Sequence, residues 1–173
     1  MSKKSSEAEI REGLPKVFPR LWRYALVLTG NRDSANDLAQ SVCLRALEKH
    51  KTYQTGTHLD RWLFRIAHRV WLNELRYKAV RHGNGLQPIE STELGDTRPD
   101  SETNFFAQQV LNSILTLPEA QRVCVILVYV EGFKYAEAAE ILSIPIGTVM
   151  SRLASARKTI SAQMGENGET RDD

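Results

Sequence analysis

The stretch Glu131 to Arg157, EGFKYAEAAEILSIPIGTVMSRLASAR, leaves few folds open, because it alternates helix and break at the spacing of a helix-turn-helix. Tyr135, Ala138, Ala139 and Leu142 recur at i, i+3, i+4 and i+7, an apolar stripe that leaves Glu137 and Glu140 on the wet side. Its small alanines let a second helix approach closely. Ser143-Ile144-Pro145 interrupts the pattern, since proline lacks an N–H and disfavours helix in the residue before it, and Ile146-Gly147-Thr148 opens the second helix. There Val149, Leu153, Ala156 and Ile160 make a buried face. The opposite face carries Thr148, Ser151, Arg152 and Ser155, with Met150, Ala154, Arg157 and Lys158 beside it, and no acid occurs between Thr148 and Ile160. Short polar and cationic side chains of this kind suit base edges and phosphates. An ordinary amphipathic hairpin with a solvated basic face is the competing reading, and the turn argues against it.

The rest of the chain divides around Arg81 to Asn104, a segment rich in Gly, Pro, Ser, Thr and acids and without an apolar period, which reads as a linker. Before it, helices are expected over Pro15 to Thr29, Asp33 to Lys51 and Leu59 to Val80, with a shorter one near Ser6 to Glu12. After it, Phe105 to Leu115 and Pro118 to Glu131 lead into the helix-turn-helix. Val123 to Val130 is β-branched enough for a buried strand, but Pro118 in front and Gly132 behind favour a helix with a proline start and a glycine stop. The expected fold is all-α with two small helical domains: a tail or short helix over residues 1–13, domains over 14–81 and 105–163, a linker over 82–104 and a disordered tail over 164–173.

A net charge of +2 implies no partner by itself, but the charges are segregated. Arg61, Arg65, Arg69, Arg76, Lys78 and Arg81 face one acid, Glu74, whereas Glu90, Glu93, Asp96, Asp100 and Glu102 face one base, Arg98. In the second expected helix, Asp33 is the candidate N-cap, Ala35, Leu38, Ala39, Val42 and Ala46 supply the core, and Asp37, Gln40, Ser41, Leu44 and Glu48 share the other face. In the third, Leu63, Ile66, Ala67 and Val70 make the inward stripe. Arg61, Arg65, His68, Leu72 and Arg76, with Arg69 adjacent, form a cationic ridge that fits single-stranded DNA. Trp62 and Phe64 read as core residues rather than stacking platforms.

The string Ile144-Pro145, Gly147-Thr148-Val149, Ser151-Arg152-Leu153 and Ala156-Arg157 resembles region 4 of the bacterial sigma-70 family, in its extracytoplasmic-function group. Lys134 departs from it where the family often has a capping Ser, and Ser143 where Gly often relieves a left-handed turn, each at a cost of about 1 kcal/mol. Asp33-Ser34-Ala35-Asn36-Asp37-Leu38-Ala39-Gln40-Ser41-Val42 is similar to the family's region 2.2, and Trp62-Leu63-Phe64-Arg65-Ile66-Ala67 to its regions 2.3 and 2.4. The resemblance implies that Asp37, Leu38, Gln40, Ser41, Leu44 and Glu48 dock on core RNA polymerase. It implies minus-ten DNA binding by Tyr53, His58, Arg61, Arg65, His68, Arg69, Asn73 and Arg76, with the Tyr53 to Asp60 loop shaping a pocket for a flipped base. Arg69 stands where many relatives carry Asn. Minus-thirty-five binding falls to Thr148, Met150, Ser151, Arg152, Ala154, Ser155, Arg157 and Lys158. Control by an anti-sigma factor is implied as well. The domains become region 2, a bundle of three to four helices, and region 4, and the resemblance covers about Leu14 to Arg81 and Phe105 to Ile160.

No carboxylate pair, nucleophile with a base, or phosphate-cradling glycine loop argues for an enzyme, a cofactor or a small-molecule substrate. Cys43 and Cys124 lack CxxC spacing and read as reduced, buried thiols, and His50, His58, His68 and His82 lack metal-ligand spacing. The start, MSKKSSEAEIREGLPK, has no apolar signal region and Val123 to Val130 is too short to span a bilayer, so a cytoplasmic protein without membrane contact is expected. Two other functions compete with a sigma factor: a conventional helix-turn-helix regulator that acts without polymerase docking, and a sigma-like decoy that only sequesters a partner.

Overall fold

The computed structural model describes residues 5–81 and 112–166, and these form two compact units, one on each side of the acidic segment. Every regular element among the described residues is helical. The expected linker over 82–104, all but the last turn of the helix expected over Phe105 to Leu115, and most of the expected C-terminal tail lie outside the described residues.

The first unit holds α1 (Ser6–Thr29), α2 (Arg32–Glu48), a 3-10 turn (His50–Thr52) and α3 (Leu59–Arg81). Ser5 caps α1 by accepting the Ala8 N–H at 3.2 Å, and Glu7 and Glu9 place negative charge at the positive end of the helix dipole. The expected break at Pro15 does not occur, so the expected short helix near Ser6 to Glu12 and the one from Pro15 to Thr29 are one helix. Pro15 and Pro19 stand four residues apart on one exposed side of α1, where water can take the carbonyls they orphan. Burial of Ile10 on the other side holds the first turns to the bundle, so residues 6–13 are helical and pack with the first unit. Gly30, at φ 75°, ends α1 with its N–H on the Leu26 carbonyl at 2.9 Å.

Asn31 rather than Asp33 caps α2: its backbone is extended, as a cap requires, and its Oδ1 accepts the Ser34 N–H at 2.8 Å. Asp33 is already inside the first turn. The core joins Leu21, Tyr24 and Leu28 of α1, Leu38 and Val42 of α2, and Leu63, Phe64 and Trp71 of α3. Each such side chain contributes about 1.5–3 kcal/mol on burial. On α3 the buried stripe runs through Leu63, Phe64, Ala67, His68 and Trp71, turned one residue from the expected one, and Ile66 and Val70 are only half-buried. The two large aromatics set that rotation, since they remove more apolar surface from water than Ile and Val would.

The second unit holds a helical turn over 112–115, then α4 (Glu119–Val125) continued by a π turn (Ile126–Val130), then α5 (Tyr135–Leu142) and α6 (Ile146–Glu166). The β-branched run is therefore helical, with Val123 to Leu127 buried all round. Its wide last turn carries the Glu131 N–H to the Ile126 carbonyl at 2.9 Å, and Gly132 at φ 76° then turns Phe133 into the core. Helix α6 packs on α4 through Val149, Leu153 and Ala156, and Ile160, expected in that face, is half-buried. Residues 164–166, expected in the tail, continue α6.

Candidate docking and nucleic-acid surfaces

On α2, Asp37, Gln40, Ser41, Leu44 and Glu48 stand together on the exposed face, and Leu44 is 64% exposed. Leu38 is a correction: it is 1% exposed and belongs to the core beneath that face, because it falls on the Ala35, Ala39, Val42 side of the helix. Beside the exposed face runs a groove of about 510 Å³ between Ser41, Leu44, Arg45 and Glu48 of α2 and Val70, Asn73, Glu74 and Tyr77 of α3. Burial raises the Glu74 carboxyl above its ordinary range, nearby Lys78 lowers it, and Asp37 raises it again. The result is an apolar centre, Leu44 and Tyr77, with the acids Glu48 and Glu74 on its rim, Asp37 near Glu74, and one cation, Arg45, paired with Glu48 at 3.5 Å. Tyr77 and Glu74 were not expected here, although their α3 spacing from Val70 already puts them on one side of that helix.

A second groove, of about 470 Å³, lies further along α3. Arg45, Lys49 and Thr52 line it from α2 and the 3-10 turn, and Trp62, Arg65, Ile66, Arg69, Val70 and Asn73 from α3. Four cations thus surround a floor of Trp62, Ile66 and Val70, the combination of charge for a backbone and apolar planes for bases that single strands require. Arg45 and Lys49 were missing from the ridge expected from α3 alone, because they come from another element. Asn73 is exposed at the edge of the groove, Arg76 is exposed beyond it, and Arg61 is half-buried at the start of the ridge.

Two expected contacts are corrected. His68 is 8% exposed, with its Nδ1 3.2 Å from the Tyr24 hydroxyl inside the bundle, so the ridge skips it. Phe64 beside it is core, as its sequence context predicts, its ring tilted against Tyr24 at 5.2 Å with the Arg20 guanidinium 5.4 Å from its centroid. Tyr53 is 4% exposed: its ring packs against Trp62 at 5.1 Å and its hydroxyl donates to Glu9 Oε1 at 2.7 Å and to the Thr57 carbonyl at 3.1 Å. It shapes the loop from beneath, whereas His58 is exposed on it. Burial first, and then the Glu9 hydrogen bond, push the Tyr53 hydroxyl up to about 12, so it stays a donor.

On α6, Met150 is 52% exposed, and Ser151, Ala154, Ser155, Arg157 and Lys158 are exposed with it, while Thr148 is half-buried. Two of the polar side chains are already engaged. The Ser151 hydroxyl donates to the Thr148 carbonyl at 3.0 Å, and Arg152 is half-buried against Cys124 of α4, whose thiol burial raises and the guanidinium lowers. Arg157 reaches Tyr129, whose hydroxyl is raised chiefly by burial and by Tyr135. The turn before α6 is built as its sequence suggests. Ser143 takes φ 54°, the Ile144 N–H closes on the Ala139 carbonyl at 3.1 Å, and Glu137 Oε2 accepts the Lys134 N–H at 2.9 Å.

Among the described residues no cluster of His, Cys, Asp or Glu is placed to hold a metal ion, and both cysteines are free. No helix among them is long and apolar enough to cross a membrane.

The two units coincide with two family models: Sigma-70 region 2 matches residues 16–81 and Sigma-70, region 4 matches residues 107–160. The ECF RNA polymerase sigma factor EcfG of Rhodopseudomonas palustris is 31% identical over 159 residues, which is 92% of this chain and 87% of that protein. The ECF RNA polymerase sigma factor SigL of Mycobacterium tuberculosis is 30% identical over 152 residues, 87% of this chain and 86% of its own. Among solved structures, the sigma factor RpoE from Bartonella quintana, crystallised with the anti-sigma factor NepR, superposes with a TM-score of 0.75 at 26% identity, covering 91% of this chain and 97% of RpoE. A helix-turn-helix alone is common to many regulators, but a matched region 2 bundle ahead of it is not, and the chain belongs to the sigma-70 family, in its extracytoplasmic-function group.

Proposed function

We propose that this sigma factor docks on core RNA polymerase through the α2 face around Leu44, reads and helps open the minus-ten element with the cationic groove of α3, and reads the minus-thirty-five element with α6. The observation that carries the reading is the pair of unlike surfaces on one small bundle. An acid-rimmed apolar patch suits a basic, partly apolar protein partner, and a cationic groove with an aromatic floor suits an opened strand. A regulator acting without polymerase would need α6 but neither of these. The factor works by binding, with no covalent chemistry of its own, inside the cell where polymerase and promoters are. The RpoE relative crystallised with an anti-sigma factor supports control of this chain by a protein of that kind.

Run-off transcription with purified core polymerase tests the reading. The chain is expected to confer initiation from promoters carrying two distinct elements, and a chain that only represses or sequesters adds no transcript.

A further inference from the structure

The loop between the 3-10 turn and α3, Tyr53 to His58, carries little structure of its own. A turn from Gln54 to Thr57, closed by the Thr57 N–H and hydroxyl on the Gln54 carbonyl, passes through Gly56 at φ 77°. What fixes it is α1. The Glu9 carboxylate accepts the Tyr53 hydroxyl at 2.7 Å on Oε1 and takes the Gly56 N–H between its two oxygens at 3.2 and 3.1 Å. One turn on, Gly13 leaves just enough room for Leu59, since a Cβ there would meet the Leu59 side chain. Further along, Arg20 pairs with Asp60 at 3.1 Å. Glu9 therefore grips the loop at its start and at its glycine turn, and the grip extends into the groove, because the Tyr53 ring it holds packs on Trp62, which lines the groove floor. Glu9 also precedes the stretch matched by the region 2 model.

We propose that Glu9 is a positioning residue for minus-ten recognition, holding the 53–58 loop and, through Tyr53, the Trp62 ring in the shape that discriminates among bases of the opened strand. The assignment rests on the reading of the first unit as the minus-ten reader. A carboxylate suits the task because it accepts two donors at once, charge-assisted, without a donor of its own to misplace. A glutamine in its place keeps the length but presents an amide N–H₂ to one of the two donors.

The test is run-off transcription with core polymerase on two promoter libraries, one randomised across the minus-ten element and one across the minus-thirty-five element. Wild type, Glu9→Gln and Tyr53→Phe are compared, with core binding and melting temperature measured alongside. The ratio of best to worst base at the affected minus-ten positions is expected to fall by about three- to tenfold in both variants. The minus-thirty-five preferences and core binding are expected to stay at wild type. Unchanged minus-ten ratios overturn the assignment, as does a uniform loss across both libraries that tracks a lowered melting temperature, the result a purely structural role gives. A wild-type chain that initiates from neither library overturns the parent reading and this one with it.

Discussion

Ser143 holds the left-handed turn between α5 and α6 with a Cβ in place at φ 54°, a conformation that costs a non-glycine residue about 1 kcal/mol. Lys134 leaves α5 with half a capping box, since Glu137 accepts its N–H at 2.9 Å while the lysine side chain has no acceptor to offer the first turn. Ser143→Gly and Lys134→Ser are therefore each expected to stabilise the second unit by about 0.5–1 kcal/mol, a rise of several degrees in its melting temperature. Calorimetry on the two variants checks this, and a lowered midpoint in either shows that its local geometry is not the source of the cost. The turn was legible in the sequence because Ser-Ile-Pro breaks the helical pattern, and the strain at Ser143 only from the family resemblance, in which Gly often stands there. The partner of the Lys134 N–H was not, because a glutamate on the wet side of a stripe and a glutamate closing a cap occupy the same register. Tyr53 and His68 misled for a related reason: each is a polar residue whose burial depends on a partner far away in sequence, Glu9 and Tyr24, which no local pattern reveals.

At the scale of the element, periodicity told which helices exist and left open which way α3 faces. Phe64 and Trp71 decide that by the area they bury, and the rotation moves Ile66 and Val70 out to the groove. Helix α2 was read almost whole, because its alanine-rich stripe can pack only inward, so Asp37, Gln40, Ser41, Leu44 and Glu48 had to face out. Asp37 is exposed and raises the Glu74 carboxyl, so Asp37→Arg removes a repulsion within the fold while placing a cation on the face proposed for docking. It is expected to leave helix content and melting temperature unchanged or slightly improved and to weaken competition for core polymerase by several kcal/mol. Circular dichroism and a competition assay separate the two effects, and wild-type competition by the variant puts the docking surface elsewhere. In the cationic groove, Lys49→Ala with Arg69→Ala is expected to lower open-complex formation more than closed-complex binding, since both side chains line the groove proposed to take the opened strand. Permanganate reactivity of unpaired thymines reads the difference, and an unchanged footprint removes the groove from the melting step.

Over the whole molecule, the division into two units was visible from the segregation of charge along the chain, with the acids of Glu90 to Glu102 between two basic stretches. That segregation has a thermodynamic consequence. A net charge of +2 gives the free factor little long-range attraction to DNA, and α6 offers few cations that are not already engaged, because Arg152 lies against Cys124 and Arg157 reaches Tyr129. Each phosphate neutralised contributes a slope of about −0.9 in log affinity against log salt, so one contact from Lys158, or two where Arg157 exchanges Tyr129 for a phosphate, gives a slope of about −1 to −2. Binding by the isolated factor should thus be weak and fade across the physiological salt range. Only core polymerase, by holding both units on one promoter, adds their affinities through effective concentration. Lys158→Ala is expected to weaken all promoters alike and flatten that slope by about one unit, whereas Met150→Ala, which removes an exposed apolar side chain from the same helix, should alter preference among upstream bases instead. Saturated libraries of the upstream element, titrated at several salt concentrations with and without core polymerase, measure all of these together. Tight retardation of a specific promoter by the pure protein, insensitive to salt, would make α6 sufficient by itself and return the chain to the class of regulators that need no polymerase to find their sites.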